Sequence, residues 1–157
     1  MKMEDFTMMI DELDKRILEF LREDSRVSLK VIAENTGKPV STIHERIKKL
    51  VKNGILKKFT ILIDYGKMGY GIKVLILINV DGKHIIDVEN YVSQHSNVQA
   101  VYDITGEFDV AVLAAFKSMS ELDKFVKWLL QNPFIRQTRT SIVFRVVKET
   151  IHLPLTD

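Results

Sequence analysis

Residues 28–53 read SLKVIAENTGKPVSTIHERIKKLVKN, and the spacing of their apolar residues, glycine and proline lays out two short helices across a tight turn. Ser28 stands where a side chain caps the first helix, and Leu29, Ile32 and Ala33 give that helix one apolar face. Gly37 stops it, because the left-handed position just past a helix suits a residue without a Cβ. Pro39 keeps the turn non-helical. Ser41 is the expected cap of the second helix, with Glu45 in its first turn facing the positive end of the helix dipole. Ile43, Ile47, Leu50 and Val51 recur at helical spacing and form the expected buried stripe. The opposite arc carries Ser41, Thr42, Glu45, Lys48, Lys49 and Lys52, with His44 and Arg46 on its flanks. This is the sequence form of a helix-turn-helix, a device that lays its second helix in the DNA major groove.

A solvated face on an ordinary surface helix uses the same residue types, and two further features weigh against it. From His44 to Lys58 six Lys/Arg stand against one acid, a local net charge of +5, in a chain whose total is only +2. Residues 1–60 hold 13 Lys/Arg and 10 Asp/Glu, net +3, and the remainder holds 10 and 11, net −1. Positive charge is thus concentrated at the second helix, as a polyanion partner requires. Upstream, Ile10, Leu13, Ile17, Leu18, Phe20 and Leu21 outline an amphipathic helix with Asp11 as its expected cap. Three helices can bury a small core that two cannot. On this reading Lys48, Lys49, Lys52, Lys57 and Lys58 neutralise phosphates, whereas Ser41, Thr42, His44, Glu45 and Arg46 make base and near-base contacts.

With 157 residues, 46% of them hydrophobic, the chain has the size of one ordinary domain or two small ones and the composition of a folded protein. The longest apolar run, Val74 to Ile78, is too short to span a bilayer. Residues 1–9 include Glu4 and Asp5 and no apolar core, so no signal peptide is expected; they read as a short extension, with Met8 or Met9 as alternative starts. The absence of cysteine excludes disulfides, a thiol nucleophile and cysteine zinc ligands, and points to a cytoplasmic protein without a membrane partner.

Gly54 ends the basic helix, and Ile55–Asp64 (ILKKFTILID) has the composition of a strand. The stretch 65–71 (YGKMGYG) holds three glycines and marks a boundary. The expected division is therefore a helix-turn-helix domain at 10–54, a strand and glycine-rich linker at 55–71, a second domain at 72–149 and a tail at 150–157. Within the second domain, strands are expected at 72–80, 98–105, 110–116 and 138–147, and helices at 85–95 and 119–131. That order is the βαββαβ of a ferredoxin-like fold, so the whole chain is α+β. Both helices of such a fold cover one sheet face. Yet IKVLILINV is apolar on both faces apart from Lys73 and Asn79, and VAVLAAF is apolar throughout. A second copy of the same sheet would cover the remaining apolar face, giving a two-fold homodimer.

Taken together, DELDKRILEFLREDSRVSLKVIAENTG, STIHERIKKLVKNGILK and the downstream TGEFDV resemble the Lrp/AsnC (feast/famine) transcription regulators, from about Ile10 to Glu149. The resemblance implies a winged-helix-like DNA-binding half and a βαββαβ ligand-binding (RAM) half that forms dimers and, in many members, tetramers or octamers. It also implies that an amino acid or related small molecule acts as effector at a pocket between dimers. Carried onto this chain, that pocket uses Thr105, Gly106, Glu107, Phe108 and Asp109, with Thr138, Arg139 and Thr140 on the facing strand. Position 107 is Glu where many members carry Asp, which bears on ligand size. By residue type alone, the same turn reads as a plain connection between two strands, for which Gly, Glu and Asp are ordinary.

No catalytic constellation is visible. The histidines at 44, 84, 95 and 152 lie in separate segments without metal-ligand spacing, and no phosphate-binding or nucleophile motif occurs. Trp128 reads as a packing residue. The chain is thus expected to be no enzyme and to need no metal or cofactor. It reads as a sequence-specific regulator that binds double-stranded DNA. The alternative is a metabolite-binding or small enzymatic βαββαβ protein whose helical N-terminus docks another protein.

Overall fold

The computed structural model describes residues 10–150 and 152–155, so the N-terminal extension lies outside the described residues. They fall into two compact units that divide between Leu62 and Ile63, with the tail from Thr150 belonging to the first.

In the first unit Asp11 caps α1 (Glu12–Glu23) by a reciprocal box. Its carboxylate accepts the Asp14 N–H at 2.9 Å, and the Asp14 carboxylate accepts the Asp11 N–H at 3.4 Å. Ser28 caps α2 (Leu29–Thr36), accepting the Val31 N–H at 3.3 Å, and Gly37 leaves that helix at φ 66°, where a Cβ would be strained. The third helix, α3 (Val40–Lys52), begins one residue before Ser41. Pro39 occupies the cap position with φ −58°, so the chain turns helical immediately after it and Ser41 lies inside the first turn, which has no side-chain cap. Ile17, Leu21, Ile32, Ala33, Ile43 and Leu50 form the buried core, and Ile47, Ile55 and Leu56 pack against it. Val51 does not join them. It lies one residue past Leu50, roughly 100° round the helix, and is exposed.

The strand expected at Ile55–Asp64 does not form. Ile55 and Leu56 N–H groups both donate to the Leu50 carbonyl, at 3.0 and 3.1 Å, which holds them against the end of α3. Beyond them residues 57–62 form no regular secondary structure and pair with no strand among the described residues, and Phe59, Ile61 and Leu62 stay exposed. Strand composition without a ladder partner does not make a strand. The unit boundary thus cuts the expected linker, leaving 55–62 with the first unit.

The second unit is β1 (Ile72–Val80), α4 (Ile85–Ser93), β2 (Val98–Asp103), β3 (Val110–Phe116), α5 (Met119–Leu129) and β4 (Ile135–Ile142). Its sheet is antiparallel throughout, in the order β2-β3-β1-β4. Val74, Ile76, Ile78 and Val80 alternate inward with Val110, Val112, Ala114 and Phe116 against Val88 and Val92 of α4 and Leu122, Phe125 and Leu129 of α5. The last strand starts and ends earlier than its composition implies. Ile135 pairs with Val80, and the Val143 N–H makes a final bond to the Lys73 carbonyl at 2.9 Å. There β1 runs out, so Phe144 and Val147 have no ladder to join and are exposed. Among the described residues no helix is long and apolar enough to cross a membrane.

The two helices of this unit meet through aromatic rings. Tyr91 and Trp128 stack at 4.2 Å, and the Tyr91 hydroxyl donates to the Trp128 carbonyl at 3.0 Å. His95 lies beside Phe125 and Trp128, with ring centroids 4.6 and 5.0 Å away, and its Nδ1 accepts the Asn97 N–H at 3.3 Å. Burial lowers the His95 pKa from the usual 6.5, because the charged ring loses water there. The folded state therefore favours the neutral imidazole. Its contribution to stability is complete above about pH 6.5 and is lost as pH falls from there through the folded-state value. Thermal unfolding followed by the fluorescence of Trp128, the single tryptophan, is expected to show a Tm that drops below about pH 6.5. His95→Gln should flatten that drop; an identical pH profile in the variant would place the ring in water.

Candidate nucleic-acid interface and effector turn

The capped three-helix core sets which face of α3 is open. Ile43 and Leu50 are buried, and Ser41, His44, Glu45, Lys48, Lys49 and Lys52 are exposed on the other side, with Thr42 half-buried at the margin. Glu45 sits beside two of these side chains: Lys48 Nζ lies 3.5 Å and His44 Nδ1 3.8 Å from its Oε1. These are exposed contacts of small energy, which a phosphate can displace. Lys49, Lys52, Lys57 and Lys58 form no ion pair among the described residues, and all four are exposed. The arc thus keeps a net positive charge that nothing within the described chain neutralises.

Arg46 corrects the expectation for this face. Its guanidinium turns to α1 and not to the open arc. Nη1 lies 2.5 Å from Asp11 Oδ2 and 3.2 Å from both carboxylate oxygens of Asp14. The contacts shift both partners: the Arg46 pKa is raised, chiefly by Asp11, and the Asp11 carboxyl is held below the usual carboxylate range, first by the Asp14 N–H it accepts and then by Arg46. Asp11 was legible as the cap of α1, and Asp14 stands one turn after it. Their bond to a residue on α3, 35 positions away for Asp11, had no local signal.

In the second unit the turn between β2 and β3 is built on Gly106, whose φ of 124° excludes a side chain without strain. Asp109 closes the turn. Its N–H donates to the Ile78 carbonyl at 3.0 Å, its carbonyl accepts the Ile104 N–H at 2.9 Å, and its carboxylate accepts the Val80 N–H at 2.7 Å. That carboxylate has a fixed task at the irregular end of β1, where the register with β4 shifts. The Asn79 amide donates to the Glu107 backbone carbonyl at 3.1 Å, and the Glu107 side chain is exposed and unpaired among the described residues. Phe108 is buried, and the Arg139 guanidinium lies over its ring at 5.1 Å. Thr105 is exposed beside Gly106.

The facing strand does not offer its three residues together. Thr138 pairs with Ile78 and Thr140 with Ile76, on the helix-covered side, whereas Arg139 pairs with Leu77 on the opposite side. Strand alternation splits the trio, and Arg139 alone reaches the turn. Two clefts of this unit, of about 370 and 410 Å³, lie elsewhere, one bordered by Tyr65, Tyr70 and Asn97 and the other by Lys73, Phe144 and Glu149.

The sheet face away from the helices carries Leu75, Leu77, Ala111, Leu113 and Tyr102. Leu75 is 37% exposed and Tyr102 53%, in register with neighbours that are also apolar or small.

Two family models match the chain: a winged helix-turn-helix DNA-binding domain over residues 10–57 and the Lrp/AsnC ligand binding domain over residues 73–153. An uncharacterized HTH-type transcriptional regulator of Pyrococcus abyssi is 39% identical over 145 residues, covering 92% of this chain and 99% of the relative. The transcriptional regulator AzlB of Bacillus subtilis is 34% identical over 152 residues, covering 94% and 97%. Among solved structures, E. coli AsnC superposes with a TM-score of 0.88 at 25% identity, over 93% of this chain and 99% of that one. A Neisseria meningitidis transcriptional regulator in complex with L-Met superposes with a TM-score of 0.86 at 26% identity, over 92% and 96%.

Proposed function

The chain belongs to the Lrp/AsnC family of transcriptional regulators, and we propose that it acts as a dimeric, sequence-specific reader of double-stranded DNA whose assembly answers to an amino acid. The observation that carries the DNA-binding half is the open basic arc of α3, held outward by a three-helix core, with Lys49 and Lys52 left without an ion pair among the described residues. Lys48, Lys49, Lys52 and Lys57 are suited to phosphates, and Ser41, Thr42, His44 and Glu45 to base edges. Two such helices related by a dyad call for a pseudo-palindromic site with half-sites about one helical turn, or a multiple of it, apart. Selection of duplexes from a random-sequence library by the full-length protein tests this. A consensus with two-fold symmetry is expected, and a pool with no enriched sequence would leave only a non-specific binder.

Pairing rests on the uncovered sheet face. Leu75, exposed in the middle of the sheet beside half-buried Leu77 and Leu113, is held in water at a cost unless another surface removes it, and a second copy of the same face is self-complementary. The effector half rests on the turn at 105–109. The Gly106 backbone can come close to a carboxylate, Glu107 offers an unpaired anion to an ammonium group, and Arg139 over Phe108 adds a cation beside it. Asp109 supports the turn through Val80, and Thr138 and Thr140 lie on the far side of the sheet, so Glu107 and Arg139 are the ligand-facing pair within one chain. The solved relative with L-Met is consistent with a ligand of this class. A thermal-shift screen of the standard amino acids at millimolar concentration should raise the Tm for a small subset, by about 2.7 kcal/mol of stabilisation at a hundredfold excess over Kd. Glu107→Gln should abolish the rise. A Tm indifferent to all of them would remove the effector role. The names of the relatives and the absence of a catalytic motif support a regulator with no enzymatic step.

A further inference from the structure

We propose that Arg46 is a positioning residue of DNA recognition, tying α3 to the first turn of α1 through the carboxylates of Asp11 and Asp14 and so setting the angle at which the basic arc meets the groove. The inference rests on the DNA-binding reading of α3. Asp14 is 5% exposed and is the one buried charged residue among the described residues. A carboxylate removed from water needs a cation and hydrogen bonds to remain there. Arg46 supplies the cation, with Nη1 within 3.2 Å of both Asp14 oxygens and still closer to Asp11. The two acids are also the capping box of α1. One guanidinium thus fastens α3 to the point from which α1 is built.

The placement has two consequences for the arc. Arg46 stands one turn from Thr42 and Lys49 on α3, so anchoring it fixes the rotation of the helix about its own axis and with it the direction of those side chains. It also neutralises Asp11, whose side chain is 48% exposed at the flank of the arc and would otherwise repel phosphates. A residue spent on two carboxylates is not available for a guanine edge.

Asp11→Asn separates this role from direct contact. Asparagine caps a helix about as well as aspartate, so α1 keeps its start while the tie loses its charge. Simple electrostatics predicts tighter DNA binding for a variant with one negative charge fewer, and so does a base-reading Arg46, which the change would release. Positioning predicts the reverse for the selected duplex. With full-length protein, affinity for the library-selected duplex is expected to fall about tenfold or more, the worth of a charged hydrogen bond, with affinity for a random duplex of equal length undiminished and the salt slope unchanged. Arg46→Lys should weaken the selected duplex as well, and adding Asp11→Asn to it should cost little more. Hydrogen exchange on the free variant should show faster α3 amides against an unchanged α2. Selected-duplex binding at or above wild type in Asp11→Asn, or α3 exchange identical to wild type, overturns the proposal. A library that returns no consensus would instead count against sequence-specific reading, and the exchange measurement would still judge the tie.

Discussion

Leu75→Lys is expected to turn the protein into a monomer and to weaken its hold on the selected duplex more than any single change on α3. Leu75 lies mid-sheet on the face away from α4 and α5, opposite Leu113 on one side and Ser141 on the other. It points away from the core formed by Val74 and Ile76, so the variant keeps its own fold. Between two copies, however, a lysine there is buried without a partner, at a cost of several kcal/mol per copy. That outweighs what the leucine contributes, about 2 kcal/mol for full burial. A monomer presents one basic helix where a dimer presents two. Halving the phosphates engaged should lower affinity by about two orders of magnitude or more at moderate salt. Sedimentation at micromolar concentration reads the first effect and a gel shift the second. A variant that still sediments as a dimer would mean that the partner sits on another face.

Replacing Lys48, Lys49 and Lys52 together by alanine is expected to give the largest change in salt dependence. None of the three contributes to the core, and Lys48 has only an exposed contact to Glu45, so the melting curve should barely move. If each lysine engages one phosphate in each of two copies, six are lost, and the slope of log K against log salt flattens by about 5. Circular dichroism and Tm serve as the controls for folding. A slope that changes by less than about one unit would take α3 out of the groove, whatever the overall affinity did.

Much of this was legible in the chain. The turn at Gly37, the caps at Asp11 and Ser28, and the spans of β1 and β3 are local events. Each depends on a side chain within a few positions of the backbone it serves, and each is found where the spacing places it. The excess of positive charge at 44–58 is likewise a property of composition, and α3 does carry it on its open side. The local rule failed where a partner was decisive. Ile55–Asp64 has a strand's residues but nothing to pair with, and β4 stops where β1 stops.

By itself, the amino-acid order determined the two kinds of unit, the helix that carries the charge and the sheet left apolar on both sides, because periodicity and capping act over a few residues. Only the tertiary structure decided which groups are free to act. It bound Arg46 to Asp11 and Asp14, engaged Asp109 with the Val80 amide, and put Thr138 and Thr140 on the opposite side of the sheet from Arg139. Those assignments depend on side chains that meet across the fold. Each charge or hydroxyl is taken by whichever neighbour the packing brings within about 3 Å, and sequence separation carries no record of that distance.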